Sequence, residues 1–461
     1  MFVSVKVKVR TDNTGAIIHM PGLLTPNGLL TPLLDYFLAR YLTRSMSWRR
    51  KVVRSVELFM DYVQANAAER DTRALFDNFA KRLTAGTFGD DNDDPSGLCW
   101  QPRSAPDVAN IITDLTLFFE WLSTAQPKSK AGNINPLERG SPYDQMWVDA
   151  ARLHRRERAL LGHLWPKKDD EGKTVRRVQG KRAPTSRKAE PPAFPEERFL
   201  DLISDGFRVG RRTNYRNILI TLLMHGAGFR PSEPFHLYVE DVVQHPANPR
   251  SCIVRIHHPS EGAAPAWWKD PMGKASQPNR ERFLSTQFGL RPRNQLDDDR
   301  EAGWKGCLCD APNYMEAHWL SPQYGELFWT NWKLYLAQVA REDRDHPFAF
   351  INLDREPVGS MFKLPLFNDQ HAEACRRIGL VVAKHLGTTP HGHRHAYGRR
   401  CKKAGIEPEL LRILMHHSSI ESQEVYTQPT SGEVEDALQK AALKLSAAST
   451  PSTRITSAIP T

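Results

Sequence analysis

Four side chains near the end of this chain, His391, Arg394, His417 and Tyr426, stand in the order H-x-x-R … H … Y. They lie in TPHGHRHAYG, from 388, and LMHHSSIESQEVYTQ, over 414–428. A guanidinium fork, two imidazoles and a phenol are the groups needed to hold a phosphodiester and attack it without a metal ion. Such a reaction needs its non-bridging oxygens neutralised, an in-line nucleophile, and an acid for the leaving oxygen. Arginine suits the first task because its planar fork stays charged and pairs bidentately with phosphate. A tyrosine nucleophile conserves the bond energy, since a phosphotyrosine can be attacked again by a hydroxyl. Histidine and lysine move protons near neutral pH. A fifth group, Arg230, lies far upstream in GAGFRPSEPFHL, a segment that reads as a turn into a helix.

Each residue alone has a bland reading. Arg230 before Pro-Ser-Glu could cap a helix at the surface. His391 and His395 could be surface neighbours on one helical turn, or half of a metal site at i,i+4 spacing that lacks a third ligand. Tyr397 is a second aromatic, but it falls within the helix that follows Arg394. Of the adjacent His416 and His417, the second stands nine residues before Tyr426. The joint pattern is what favours chemistry.

The elements that must position these groups fall into two regions. Over 30–66, Val52, Val56, Phe59, Met60 and Val63 recur at helical spacing, with Ser47 as a candidate N-cap. Arg44, Arg49, Arg50, Lys51 and Arg54 crowd the first turns of that helix, against its dipole, which makes them candidate DNA-phosphate contacts. Further helices are predicted over 72–84 and 105–123, so 25–165 reads as a small helical domain after an N-terminal extension, 1–24. That extension begins with a strand-like alternation, MFVSVKVKVR. The acidic loop GDDNDDPSG lacks the glycine and closing glutamate of a calcium loop. The stretch 166–193 is basic and poor in large apolar residues, and reads as a linker. The second region runs over 194–445. SCIVRIHH and ERFLST are its predicted strands, and helices are predicted near 195–203, 214–226, from 322, and over 366–386, 392–404, 407–415 and 419–426. A short amphipathic helix follows at 433–445, and the Ser/Thr/Pro-rich residues 446–461 read as a disordered tail.

Bulk properties agree with a polyanionic partner. The 63 Lys and Arg outnumber 53 Asp and Glu, for a net charge of +10. Six cysteines at irregular spacing argue for a reducing compartment, and Cys307 and Cys309 form only C-x-C, with no second pair at zinc spacing. The expected location is cytoplasmic and nucleoid-associated, with no cofactor and no metal.

The catalytic half resembles the tyrosine recombinases, or phage integrases. GAGFRPSEPFHLYVEDV, Gly273-Lys274 before a predicted strand, TPHGHRHAYG and LMHHSSIESQEVYT carry the resemblance, over about 194–445. It implies a mainly α fold with a small β-sheet: a helical core-binding domain and a mixed α/β catalytic domain. It implies that Arg230 and Arg394 clamp the scissile phosphate, that His417 bonds a non-bridging oxygen and that His391 assists proton transfer. Tyr426 would attack to give a 3′-phosphotyrosine. Lys274 would be the acid for the 5′ oxygen, with Lys269 as runner-up, and Glu233 would hold Arg230. The implied partners are double-stranded DNA, three further copies of the chain in a tetramer, and element-encoded accessory proteins. The alternatives are a type IB topoisomerase-like relaxase and a catalytically idle DNA-binding protein. Two departures stand out: His393 replaces the family's leucine, and His416 replaces the glycine before the second-box histidine. The stretch 289–335, rich in Trp, Cys and Asp, reads as an insertion.

Overall fold

The computed structural model describes residues 2–11, 17–126, 134–158, 174–180, 190–271, 278–310, 313–353 and 356–418, with 438–441 and 443. Tyr426, Lys274, the 419–426 helix and the 446–461 tail lie outside these residues. The chain packs as two compact units, Met1–Thr185 and Ser186–Thr461.

In the first unit, β1 (Val3–Arg10) and β2 (Ile17–Thr25) form an antiparallel ladder, and β3 (Gly28–Leu29) closes its edge. The extension is therefore part of the core: Met20 and Leu23 are fully buried, beside α1 (Thr31–Leu38) and α2 (Met46–Ala65). The expected 30–66 helix is interrupted, and its second part is capped by Ser45 rather than Ser47. Ser45 Oγ accepts from the Trp48 N–H at 3.3 Å, so the helix begins before Ser47. Phe59 of the predicted apolar stripe meets Phe76 and Phe79 of α3 (Thr72–Ala85) and Phe119 of α4 (Ala105–Ala125), edge to face. In the acidic loop, Asp94 accepts from Thr87, Ser96 and the Cys99 N–H, an internally bonded turn.

Beyond α4, β4 (Leu137–Arg139) precedes α5 (Pro142–Arg158) and pairs with β5 (Thr174–Arg176). Part of the predicted linker is thus folded. The Val178 N–H and C=O both bond the Asn135 amide, and the Val178 side chain is buried. Two complementary backbone bonds order a segment that composition alone assigns to solvent.

The second unit opens with α6 (Phe199–Asp201), which continues into a π turn, Leu202–Gly206, and a hairpin of β6 (Arg208–Val209) and β7 (Arg212–Thr213). Next comes α7 (Tyr215–Ala227), buried along most of its length. A three-stranded antiparallel sheet follows, in the order β10–β9–β8: Tyr314–Glu316, Asn248–His257 and Val242–His245. ERFLST, predicted as a strand, is instead helix α8 (Arg280–Phe288). Asn279 accepts from the Arg282 N–H at 3.0 Å, left-handed Gly289 ends the helix, and Phe283 and Leu284 face inward. These caps outweigh a β-like run of six residues. The sheet's third strand comes from within 289–335, and that stretch also begins α9 (Pro322–Val339), whose Phe328 and Trp332 are core residues. It is a structural part of the unit rather than an appended module. Helices α10 (Leu364–Arg377), α11 (Pro390–Lys403) and α12 (Pro408–Leu414) complete it.

Candidate active site

The upstream arginine is delivered by the end of α7. Asn214 caps the start of this helix, and Gly228 ends it in the left-handed conformation, φ +74°. A Cβ at Gly228 would sit 2.6 Å from the Tyr397 ring, so both backbone angle and space call for glycine. Arg230 follows two residues on, and Glu233 (1% exposed) spends both oxygens on it. One accepts from the Arg230 N–H and the other from its guanidinium, each at 2.7 Å. The carboxylate fixes the fork while 17% of the arginine side chain stays open to solvent.

Arg394, one turn into α11 from Pro390, is buried and ties three segments together. One guanidinium nitrogen donates to the Gly228 carbonyl and another to the Met415 carbonyl at 2.6 Å. The arginine therefore bridges the α7 terminus and the end of α12. His417 follows that end directly, its N–H donating to the Arg412 carbonyl at 2.9 Å. Burial, then Arg394 and Arg230, push the His417 ring down to about 3. His391, on the first turn of α11, keeps part of its surface open to solvent and packs edge to face with His395 at 4.6 Å. Enclosure by surrounding protein, then the charges of His395, Arg394, Lys305 and Arg230, hold it below the usual histidine value. The structure thus brings Arg230, His391, Arg394 and His417 into one cationic site, drawing on chain segments more than a hundred residues apart. Both rings are neutral near pH 7, as suits groups that exchange protons or donate one hydrogen bond to a phosphate oxygen.

The lysine is the part that sequence reasoning places least well. Lys274 lies outside the described residues, and the element after it is α8, not the strand of a hairpin. Lys269 is exposed in the loop beside Trp268, whose apolar partners are Tyr238 and Phe283. Lys305, not singled out from the sequence, lies in the loop before Cys307 and is near enough to act on the charge of His391. Cys307 forms a bridge with His417, which lays this loop along the second-box histidine.

Among the candidate phosphate contacts, Arg44, Arg50, Lys51 and Arg54 are exposed. Arg49 is not. It is 4% exposed, donates to the Tyr41 and Arg44 carbonyls and lies over the Tyr41 ring, so it holds the turn between α1 and α2. The helical period turns this one member of the basic cluster inward.

His393, on the same helix as Arg394, is the centre of a buried chain. Arg400 donates to His225 Nε2 (2.7 Å), and His225 Nδ1 meets His393 Nδ1 (3.2 Å). His393 Nε2 meets His371 Nε2 (2.8 Å), and His371 Nδ1 meets Cys375 Sγ (3.7 Å), which reaches the Thr388 carbonyl. One proton per link satisfies every atom: each neutral ring accepts on one nitrogen and donates from the other. Phe194 stacks on His393 at 4.2 Å and Phe199 on His225 at 3.6 Å. This explains the departure from leucine, and locks α11 against α7 and α10.

No protein-family model matches the sequence, and no curated protein matches it. Solved structures do match. A Tn1549 transposon integrase in complex with transposon right end DNA is 14% identical, covering 89% of this chain and 98% of that one, with a TM-score of 0.42. The XerH site-specific recombinase bound to its difH substrate is 12% identical, over 80% and 94% of the two chains, with a TM-score of 0.37. The integrase from mycobacterium phage Brujita is 13% identical over 88% and 91%, at 0.27. The structures it resembles are recombinases and integrases. Among the described residues, no helix is long and apolar enough to cross a membrane.

Proposed function

We propose that this chain is a site-specific DNA recombinase of the tyrosine type, breaking and rejoining double-stranded DNA through a 3′-phosphotyrosine at Tyr426. The observation that carries the reading is the convergence of Arg230, Arg394, His391 and His417 on one site, with Glu233 and two backbone carbonyls fixing the guanidinium groups. Two fixed positive forks beside neutral imidazoles match a phosphodiester whose charge rises in the transition state. In this reading Arg230 and Arg394 hold the scissile phosphate, His417 donates to a non-bridging oxygen, and His391 takes the phenolic proton of Tyr426. The phenolate attacks phosphorus, the bond to the 5′ oxygen breaks, and a lysine returns a proton to that oxygen. Lys274 fills the last role by motif order. Lys305 is its rival, because its charge reaches His391.

The first unit serves as the DNA core-binding domain and the second as the catalytic domain, with Arg44, Arg50, Lys51 and Arg54 meeting phosphates. Recombination of a mobile element by a tetramer follows from the same reading. The test is a nicked suicide duplex carrying the element's end sequences, offered to the wild-type chain and Tyr426→Phe without added magnesium. Wild type should form a covalent protein–DNA adduct and the phenylalanine variant none. An adduct that forms only with added magnesium, or that persists in the variant, contradicts the mechanism. With a good 5′ leaving group, the true acid among Lys274→Ala, Lys269→Ala and Lys305→Ala is the variant whose cleavage is restored.

A further inference from the structure

We infer that Asp310, His318 and His416 form a zinc site that clamps the segments 303–310 and 313–318 to the turn after α12 that carries His417. His416 lies about a hundred residues from Asp310 and His318 in sequence, yet one ligand atom from each of the three lies within 4.8 Å of the others. His416 is 1% exposed, and neither of its ring nitrogens makes a hydrogen bond; the buried Nε2 of His318 makes none either. A buried imidazole without a partner is costly. His236 and His346 of this unit are also buried with both ring nitrogens unpaired, but among the described residues only His416 has two further ligand atoms within reach.

The backbone supplies a second observation. His416 has φ +52°, the left-handed region that glycine enters freely and a β-carbon disfavours. A histidine held there, with its ring turned toward another histidine and a carboxylate, is a strained residue kept for its side chain. The rings of His318 and His416 lie nearly parallel, with centroids 6.1 Å apart.

Hydrogen bonds hold the segments that carry the ligands in place. The Asp310 carboxylate accepts from the Glu316 N–H at 3.1 Å, and the His318 carbonyl accepts from Tyr397 Oη at 3.0 Å. The Glu316 backbone also lies beside the His416 ring, short of hydrogen-bond geometry. The Cys307–His417 bridge and a Leu308 N–H to His416 carbonyl contact of 3.4 Å hold the two segments side by side. Two imidazoles and one carboxylate suit zinc, with water as the fourth ligand, and disfavour magnesium, which prefers oxygen donors. Cys307 and Cys309, whose sulfurs are 3.6 Å apart, stand outside this ligand set. The ion would brace the backbone next to His417 and Arg394 without touching the phosphate.

The experiment uses the full chain without DNA, so its outcome is independent of recombinase activity. Zinc content is measured by mass spectrometry after dialysis against metal-free buffer, and affinity by competition with a chromophoric chelator. Wild type should hold about one zinc per chain, and His318→Ala, Asp310→Asn and His416→Gly should each weaken binding by at least about 100-fold. His416→Gly suits the local backbone, so its circular dichroism should match wild type and its metal loss cannot be ascribed to unfolding. The double variant Cys307→Ser/Cys309→Ser should keep its zinc. Wild type holding only traces, or undiminished affinity in His416→Gly, overturns the site. Loss of zinc from the double serine variant overturns this choice of ligands.

Discussion

Two histidine clusters lie against the helix that carries Arg394, and they are built on opposite rules. Around His393, every ring nitrogen has a partner, from Arg400 through His225 and His371 to Cys375. Around His416, the ring nitrogens meet no hydrogen-bond partner, and the backbone is left-handed as well. Residue type and burial are the same in both, so neither distinguishes architecture from a binding site. The accounting of hydrogen bonds does so only together with the ligand atoms in reach, since His236 and His346 are buried with both ring nitrogens unpaired and, among the described residues, lie in no such group. A closed chain of neutral rings is a way of filling a core, whereas a buried ring aimed at a carboxylate and a second ring is a set of ligands.

The contrast breaks most readily at Arg394, which anchors both sides. Arg394→Ala should lower DNA cleavage by about 100- to 1000-fold or more, and Arg394→Lys should not restore it, because an ammonium cannot reach the Gly228 carbonyl, the Met415 carbonyl and a phosphate in one plane. Single-turnover cleavage of a suicide duplex measures both. Next, His393→Leu, which installs the residue expected by family resemblance, should cost about 2–4 kcal/mol in urea denaturation, since it leaves His225 and His371 each with an unmet nitrogen. If leucine is neutral there, the chain of rings contributes no specificity to the core.

Acid should find the closed cluster too. Burial drives His225 down to about 4 and His371 down to about 3, and holds His393 well below the usual histidine value. The unfolded chain takes up these protons near pH 6.5, but the folded one does not. Stability is therefore complete above that value and should fall by about 1.4 kcal/mol per pH unit for each ring as pH drops toward 4. Glu196 and Arg400 face His225, and Cys375 faces His371; Glu196 tempers the loss by favouring a protonated His225. Denaturation midpoints at pH 7.5, 6 and 5 test the slope. The smallest effect should come from His416→Gly in zinc-free protein. Relief of the left-handed strain offsets the lost packing on Phe229, leaving stability within about 1 kcal/mol of wild type. A large loss there would place His416 with His393, as core.

The part of the candidate site that the structure describes was legible because it is written in order and spacing: Arg230 with Glu233 three residues on, and His391 with Arg394 ahead of His417; Tyr426 lies outside the described residues. Most helices were legible from periodicity, and the small-sheet, mainly helical fold was what the family resemblance implied. What was not legible depends on tertiary closure. The ligands 310, 318 and 416 have no common spacing, because a strand return and a bridge bring them together. Arg49 belonged to a surface cluster by composition and to the interior by helical phase. ERFLST was expected as a strand, but Asn279 and Gly289 cap it as a helix. Lys305 had no motif at all, and only the loop laid along His417 brings it near His391.

The central claim, that the cationic site serves Tyr426, is tested most directly by mapping the covalent bond. The wild-type adduct on a suicide duplex is digested with nuclease and protease, and the peptide bearing the residual nucleotide is sequenced by mass spectrometry. The account predicts a single phosphotyrosine at Tyr426, lost in Arg230→Ala and Arg394→Ala. A nucleotide on any other residue, or an adduct that forms without both arginines, contradicts it.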